Sequence, residues 1–344
     1  MYIPVLKNRL YENKFLRENK YLFDSKNILP LIEIIELKIG RSECGLDDLI
    51  SYYDENLKST YFIDFFASTY GEYRNADYNK VQFSLDIRDE SKYKYQDLLD
   101  ITRKSEYSIP VISIKKAREF ILDKNEITRF VNNTQAHKKS IALRISAELY
   151  DQYADLVNEL LRNNDYLIYD INEESIESRF FDLHKMSSFK SNYKKIILHS
   201  PRPSNLNNGS YIDGDFTGLI DNSLKNDYSD YEFDGFADYA GLKNVLPSAG
   251  GNGQGAALGL FYVEDKNEFF SIKNADSSKG AKGHKYVINQ AFGIYKSRLN
   301  VNGDCPAFDY IDQTLRSRNK SGSFGQWKYI TILRYISQIK TVYN

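Results

Sequence analysis

The sequence predicts an α/β fold, a single (β/α)8 barrel of the TIM type, from three observations. Eight short, mostly apolar segments run along residues 1–242, and each ends in a polar residue. Such apolar runs are typical of strands buried on both faces of a parallel sheet. The stretches between most of them are long enough for one crossover helix, as this barrel requires. The predicted strands contain residues 5–7, 31–33, 61–64, 111–113, 141–144, 167–170, 196–199 and 235–238.

Three of these strands share a proline near their start. Proline lacks a backbone donor and is tolerated at the first residue of a strand. In each case the polar residue follows three positions later, which predicts one common register for the three strands. The pairs are Pro4 with Lys7, Pro30 with Glu33, and Pro110 with Ser113.

The segments between the strands mostly carry apolar stripes at helical spacing. Predicted helices lie within 10–23, 46–57, 117–131, 147–161 and 175–190. We also expect an extended piece at Val81–Ile87 and a short helical stretch near Phe216–Leu224.

The pattern changes after the eighth strand. A glycine-rich loop at 250–255 precedes two apolar runs around a four-residue polar turn, which predicts a β-hairpin over 258–272. Helices are expected near 286–299 and 326–339, with Trp327 in a core or interface stripe. No linker composition marks a second domain, so we expect one elaborated domain over 1–344, with barrel strands and helices in 1–242 and the loop, hairpin and closing helices in 243–344.

Charge and cysteine content limit the function classes. The formal net charge is −1, from 46 basic and 47 acidic side chains, so we expect no membrane partner and disfavour nucleic acid. The expectation for nucleic acid would be reversed if the fold brought six basic side chains together on one surface. They are Lys273, Lys279, Lys282, Lys285, Arg316 and Arg318. Two cysteines, Cys44 and Cys305, and a start that lacks signal-peptide features predict a cytoplasmic protein.

Seven strand-end residues are the leading site candidates, because barrels of this type do their chemistry where the strands end. They are Lys7, Glu33, Asp64, Arg144, Asp170, His199 and Asp238. We expect the four carboxylates to supply general acid, general base or ligands for a divalent metal. Lys7 and Arg144 are candidate anion ligands, together with His199 and Arg202 after the seventh strand, where barrels often bind phosphate. The alternative is that opposite charges at the strand ends pair into a structural network.

The glycine-rich loop matches the start of a dinucleotide fingerprint at Gly251 and Gly253. A strand rather than a helix is predicted after it, and the loop contains no Walker lysine. We therefore favour a lid over the barrel mouth or a plain turn.

Several short sequence stretches, in order over nearly the whole chain, are similar to those of a known protein family. They are MYIPVLK at 1–7, PLIE at 30–33, LIYD at 167–170, GFADYAGL at 235–242, AALGL at 256–260 after the glycine-rich segment, and GQWK at 325–328. In these the chain resembles the "beta protein" family of bacteria and their phages. The resemblance implies a role in mobile elements or phage–host conflict. It assigns no reaction and no catalytic residue.

Two functions of different classes follow. In the first, the mouth of the barrel binds a small anionic or phosphorylated ligand, either without reaction or with hydrolysis of that ligand. Lys7, Arg144 and Arg202 would then hold the anion, and the carboxylates would supply acid, base or metal ligands. In the second, the barrel is a non-catalytic scaffold that docks a partner protein through the glycine-rich loop and hairpin, whose aromatic residues are Phe261, Tyr262, Phe269 and Phe270.

Overall fold

Eight parallel strands close into a barrel in the computed structural model of this protein. The strands of the chain are β1 (Tyr2–Lys7), β2 (Leu31–Glu33), β3 (Lys38–Ile39), β4 (Ser42–Glu43), β5 (Tyr61–Asp64), β6 (Ser108–Ile114), β7 (Ala142–Ser146), β8 (Tyr166–Asn172), β9 (Lys194–His199), β10 (Asp215–Thr217), β11 (Gly235–Asp238), β12 (Leu258–Val263) and β13 (Glu268–Lys273). The order around the barrel is β1-β11-β9-β8-β7-β6-β5-β2. All eight predicted barrel strands are confirmed. The predicted (β/α)8 class, with a hairpin after the eighth barrel strand and helices at the C-terminal end, is confirmed as well.

The structure describes residues 1–65, 76–87, 95–115, 123–248, 255–300 and 305–343. The chain divides into two compact units. The barrel unit consists of Met1–Ser200, Leu224–Asp238 and Val245–Ala249, and the second unit of Pro201–Ser223, Tyr239–Asn244 and Gly250–Asn344. The expectation of one elaborated domain stays a prediction. Residues 250–254 of the glycine-rich loop lie outside the described residues.

Helices alternate with the barrel strands, as the stripes predict. The α-helices are α1 (Leu10–Glu18), α2 (Leu46–Leu57), α3 (Gln82–Asp86), α4 (Tyr95–Ile101), α5 (Lys124–Gln135), α6 (Ala147–Leu160), α7 (Phe180–Ser188), α8 (Leu224–Asp227), α9 (His284–Phe292), α10 (Pro306–Tyr310) and α11 (Phe324–Tyr343). Short 3-10 segments occur at Lys20–Phe23, Tyr78–Lys80, Thr102–Lys104, Ile176–Arg179, Asn208–Ser210, Tyr228–Tyr231, Glu264–Lys266 and Ser277–Gly283, and a π-helix at Ile311–Arg316. The predicted helix over 117–131 corresponds to α5, and its residues 117–122 lie outside the described residues.

Two local predictions are wrong. Val81–Ile87 alternates in hydrophobicity, which predicts a strand, but most of it forms α3. The same residues also repeat at a spacing of four, and Val81 packs in a buried cluster with Ile35 and Leu246. The stretch near Phe216–Leu224 begins as strand β10, because Phe216 pairs with Phe270 of β13 and their rings meet at 5.2 Å.

The second unit is built on the predicted hairpin. Strands β10, β13 and β12 form an antiparallel sheet in that order. Phe261 stacks on Phe308 at 5.4 Å and meets Trp327 at 6.1 Å, and Trp327 is only 3% exposed. The core assignment of Trp327 is therefore confirmed.

Among the described residues, no helix is both long and apolar enough to cross a bilayer.

Candidate functional site

Six side chains point into the barrel at the carboxyl ends of its strands. Strand pairing sets Lys7 opposite Glu33 and Glu33 opposite Asp64, and residues paired across neighbouring parallel strands share one face of the sheet. Ser113 pairs with Arg144 in the same way. The inner ring consists of Lys7, Glu33, Asp64, Ser113, Arg144 and Asp170.

Arg144 joins this ring across the barrel. Its Nη1 donates to Glu33 Oε1 at 2.7 Å and to Asp64 Oδ2 at 3.0 Å. Its Nε and Nη2 donate to Asp170 Oδ2 at 2.9 and 2.7 Å. One guanidinium, 2% exposed, therefore contacts three carboxylates that come from three different strands. A planar fork of five N–H donors is suited to this arrangement, whereas a lysine ammonium is a single point charge.

Glu33 contacts both cations of the ring. Its Oε2 accepts from Lys7 Nζ at 2.7 Å, and its other oxygen accepts from Arg144. Burial alone would raise the pKa of Glu33, but Lys7 and Arg144 outweigh burial and lower that pKa from 4.5 to about 2. Glu33 is therefore ionised at neutral pH, so it has no proton to donate as a general acid.

Neighbouring polar groups hold these side chains in place. Ser113 Oγ donates to Asp64 Oδ2 at 2.8 Å. Asn8, which follows Lys7 and is fully buried, accepts from the backbone N–H groups of Ile35 and Glu36 at 2.8 and 3.2 Å. These bonds fix the chain just after Lys7 to the chain just after Glu33, so the two strand ends stay aligned.

Asp238 does not belong to the inner ring. It pairs with Pro4, and because side chains alternate along a strand, Pro4 and Lys7 face opposite sides of the sheet. Asp238 Oδ1 instead accepts from the Tyr2 hydroxyl at 2.8 Å, and the Tyr2 ring stacks on Phe236 at 4.7 Å. This position differs from the expectation that all four carboxylates share the mouth.

His199 also lies away from the inner ring. Its neighbour Leu198 pairs with Asp170 and so shares the inner face. His199, the next residue along β9, therefore points to the other face, where it is half-buried.

Arg202 lies in the second unit and is buried. Its Nε donates to the Tyr211 hydroxyl at 2.9 Å, its Nη1 donates to the Gly241 carbonyl at 3.3 Å, and its guanidinium lies over the Tyr211 ring at 5.4 Å. Burial lowers the pKa of Arg202. This candidate anion ligand is thus a packed side chain that contacts the neutral groups of Tyr211 and Gly241. The catalytic and ligand-binding roles expected for all these residues stay predictions.

The charge balance of the ring determines what it can bind. It holds three carboxylates against two cations, and both cations already contact carboxylates. An anionic ligand would have to replace a protein carboxylate on Arg144 or Lys7. Over the described ranges, no cluster of three or more His, Cys, Asp or Glu side chains has an arrangement that could hold a metal ion.

The four hairpin aromatics named above are in the core of the second unit. Phe261, Tyr262, Phe269 and Phe270 are each 0% exposed. Tyr262 and Phe269 both pack on Tyr335, at 4.7 and 5.3 Å. These side chains do not form an accessible docking surface, so the part of the scaffold hypothesis that relied on them is wrong.

An exposed aromatic pair that was not predicted from the sequence lies at the start of α7. Phe180 is 65% exposed and Phe181 is 85% exposed, and their rings meet at 5.8 Å. Two adjacent residues on a helix point about 100° apart, so two neighbouring phenylalanines cannot both lie on one narrow buried stripe. The adjacent phenylalanines could therefore have been identified from the sequence as partly exposed, because α7 has few other apolar residues to form a wider buried stripe.

The fold and the inner ring define a protein of the (β/α)8-barrel class with a cluster of charged side chains at the strand ends. No protein-family model and no curated protein matches the chain. The resemblance to the "beta protein" family stays a prediction.

The first prediction concerns the central guanidinium. Arg144→Met leaves the buried Glu33 and Asp64 and the partly exposed Asp170 without their shared cation, and we expect it to lower the free energy of unfolding by about 3–5 kcal/mol. Arg129→Met is the control, because it removes an exposed arginine that pairs with Glu126 on α5 and should cost less than about 1 kcal/mol. Urea denaturation measures both values. Equal losses in the two variants would contradict the central role of Arg144.

The second prediction concerns pH. The pKa of Glu33 is lowered to about 2, so its ionised form stabilises the folded state above pH 4.5, and this stabilisation is lost as the pH falls toward 2. Glu33→Gln removes the titrating group. The stability difference between the natural protein and this variant should therefore shrink by about 3 kcal/mol over that interval. Urea denaturation at a series of pH values measures it, with Glu126→Gln on the exposed surface as control. A difference that does not change with pH would show that Glu33 gains nothing from its two cations.

Proposed function

We propose that this protein is an interaction protein that uses its barrel as a scaffold and docks a partner protein through Phe180 and Phe181. The observation that carries the proposal is the exposure of these two rings, 65% and 85%. Exposed aromatic side chains on a firm support are typical anchors of protein–protein interfaces. Following the resemblance, we place the partner in phage–host conflict or in mobile elements, and the protein in the cytoplasm.

The support beneath the pair is firm. Ile176 and Met186 are buried on either side of it, 4% and 3% exposed. Lys185 Nζ donates to the backbone carbonyl and to the side chain of Asp151 on α6, both at 2.9 Å. The Tyr169 hydroxyl of β8 donates to Asp182 of α7 at 2.5 Å. A helix fixed in this way presents its aromatic rings at little cost in conformational entropy on binding.

The surroundings of the pair indicate the chemistry of the partner. The segment that leads into α7 carries the exposed carboxylates of Glu173, Glu174 and Glu177, of which Glu174 pairs with Arg179. Two aromatic faces beside an acidic rim fit a segment with apolar and basic side chains, since such a segment gains apolar burial, cation–π contact and charge complementarity together. The proposed partner therefore presents a basic, apolar segment.

The inner ring supports a scaffold more than an enzyme. Its two cations contact carboxylates, and the side chains of Lys7, Glu33, Asp64 and Arg144 are at most 3% exposed. A ring whose charges neutralise one another stabilises one arrangement of the strand ends and leaves no cation ready for a substrate anion.

Site-specific photo-crosslinking tests the proposal. With p-benzoylphenylalanine in place of Phe181, irradiation of phage-infected and uninfected cells should give one discrete crosslinked protein. The yield should fall with Phe180→Ala, which removes the neighbouring ring, and with Glu177→Lys, which reverses the charge of the rim. Asp170→Asn in the inner ring should leave the crosslink unchanged.

The matched control places the same photo-reactive group at Tyr78, another exposed aromatic of the barrel unit, 56% exposed. A diffuse pattern common to positions 78 and 181 would contradict the proposal. So would a discrete crosslink at 181 that survives both Phe180→Ala and Glu177→Lys.

A small-ligand site at the mouth is the second candidate function, and one observation favours it. Four buried charged side chains and the partly exposed Asp170 lie together where barrels of this class hold their active sites. Buried ion networks often stabilise a protein less than apolar packing would. Asp170, with 11% of its side chain exposed, is the most accessible of the charged members. An anion entering there would exchange with Asp170 on Arg144.

Thermal unfolding with inorganic phosphate or with Mn²⁺ tests this candidate. A site saturated at 100 times its dissociation constant would add about 2.7 kcal/mol to stability and raise the Tm by several degrees. If the scaffold proposal holds, neither ion changes the Tm more in the natural protein than in Arg144→Lys. A phosphate-dependent rise that Arg144→Lys abolishes would instead establish the mouth as an anion site.

A further inference from the structure

The near-zero net charge of the chain conceals a strong separation of charge between its two units. The second unit contains 15 basic and 10 acidic side chains, a net charge of +5, and the barrel unit contains 31 basic and 37 acidic side chains, a net charge of −6. The net charge of −1, which disfavours nucleic acid for the chain as a whole, is the sum of these two opposite values. For the second unit alone, the net charge of +5 favours an anionic partner such as nucleic acid.

The excess positive charge of the second unit is concentrated in one part of the sequence. Residues 279–320 carry eight basic and three acidic side chains. All eight basic side chains are exposed, and five of them lie on two segments, one at the start of α9 and the other at the end of the π-helix and just after it. We call them the basic face: Lys282, Lys285, Arg316, Arg318 and Lys320.

Side-chain contacts bring the two segments together. Lys285 Nζ donates to Asn319 Oδ1 at 2.7 Å. Seven residues further along α9, the ring of Phe292 lies under the Arg316 guanidinium at 5.0 Å. Lys285 and Phe292 lie on one face of the helix, since seven residues make two turns. The second segment therefore runs alongside that face of α9.

The second segment is itself held in one conformation. The backbone N–H of Lys320 donates to the Leu315 carbonyl at 2.7 Å, and that of Asn319 donates to the Arg316 carbonyl at 3.0 Å. Trp327 Nε1 donates to the Ser321 carbonyl at 2.9 Å. Arg318 and Lys320 thus extend from a hydrogen-bonded turn whose end is fixed to the core.

Little of this charge is neutralised within the protein. Arg316 pairs with Asp312 at 2.9 Å. In the parts of the chain that the structure describes, none of the other four cations of the basic face has a carboxylate within ion-pair distance. With respect to the described residues, this face therefore presents four uncompensated positive charges, an arrangement suited to binding a phosphate backbone.

We propose that the second unit binds double-stranded nucleic acid through the basic face, by contacts to backbone phosphates. A duplex is favoured over a single strand because single-strand binding relies on aromatic rings that stack on bases. At this face Phe292 is covered by Arg316 and Trp327 is buried. Phosphate contacts without base contacts predict binding that depends on salt and not on sequence. This inference goes beyond the proposed docking through Phe181 and stands or falls independently of it.

Fluorescence anisotropy with the full chain and a labelled DNA duplex of about 20 base pairs, at about 50 to 200 mM salt, tests the inference. The triple variant Lys285→Glu, Arg318→Glu and Lys320→Glu should weaken binding at least about tenfold and reduce the salt slope of log Kd by about 2 to 3. The corresponding glutamine variant should fall between this variant and the natural protein, because it removes the charges without reversing them.

The control makes the same change of net charge on exposed lysines of the barrel unit, with Lys26→Glu, Lys139→Glu and Lys190→Glu. It should bind the duplex as the natural protein does, and matching thermal unfolding curves would show that all variants are folded. Absence of duplex binding at low salt would overturn the inference, as would equal losses in the two triple variants. Tighter binding to phosphatidylserine vesicles than to the duplex, with the same dependence on the basic face, would overturn it in favour of a membrane surface.

Discussion

The strand-end structure of this barrel depends on one interaction, the contact of the Arg144 guanidinium with carboxylates from three other strands. Without it, Glu33 and Asp64 would lose a shared buried cation, and an isolated buried carboxylate is strongly disfavoured. Lys7 pairs with Glu33 as well. The planar fork of Arg144 therefore links three strand ends at once.

Much of this could be predicted from the sequence, because it follows from short-range patterns. Apolar runs that end in a polar residue gave all eight barrel strands. The repeat that begins at Pro4 and Pro30 predicted a common register, and Lys7 does pair with Glu33. Position along a strand determines height in the barrel, so five of the seven candidate residues are indeed together at the mouth.

The facing of two strand-end residues and the burial of the aromatic residues depend on tertiary structure, which the hydrophobicity pattern of the sequence does not contain. Asp238 and His199 end their strands as predicted but face the other side, because the shear of the barrel decides which residue of one strand meets which residue of the next. Packing between distant segments buried Phe261 and left Phe181 exposed. A hydrophobicity pattern shows that a residue is apolar, but it does not show how much neighbouring surface exists to cover it.

The closure of the barrel between β1 and β11 has a consequence for synthesis on the ribosome. Strand β1 leaves the exit tunnel before the other barrel strands, yet its pairing with Phe236 and Ala237 needs residues made more than 200 positions later. At about 5–20 residues per second, one edge of β1 stays unpaired for at least about ten seconds. An open, apolar edge is a template for pairing with other chains. Each newly made chain therefore passes through a period of aggregation risk that the finished barrel no longer shows.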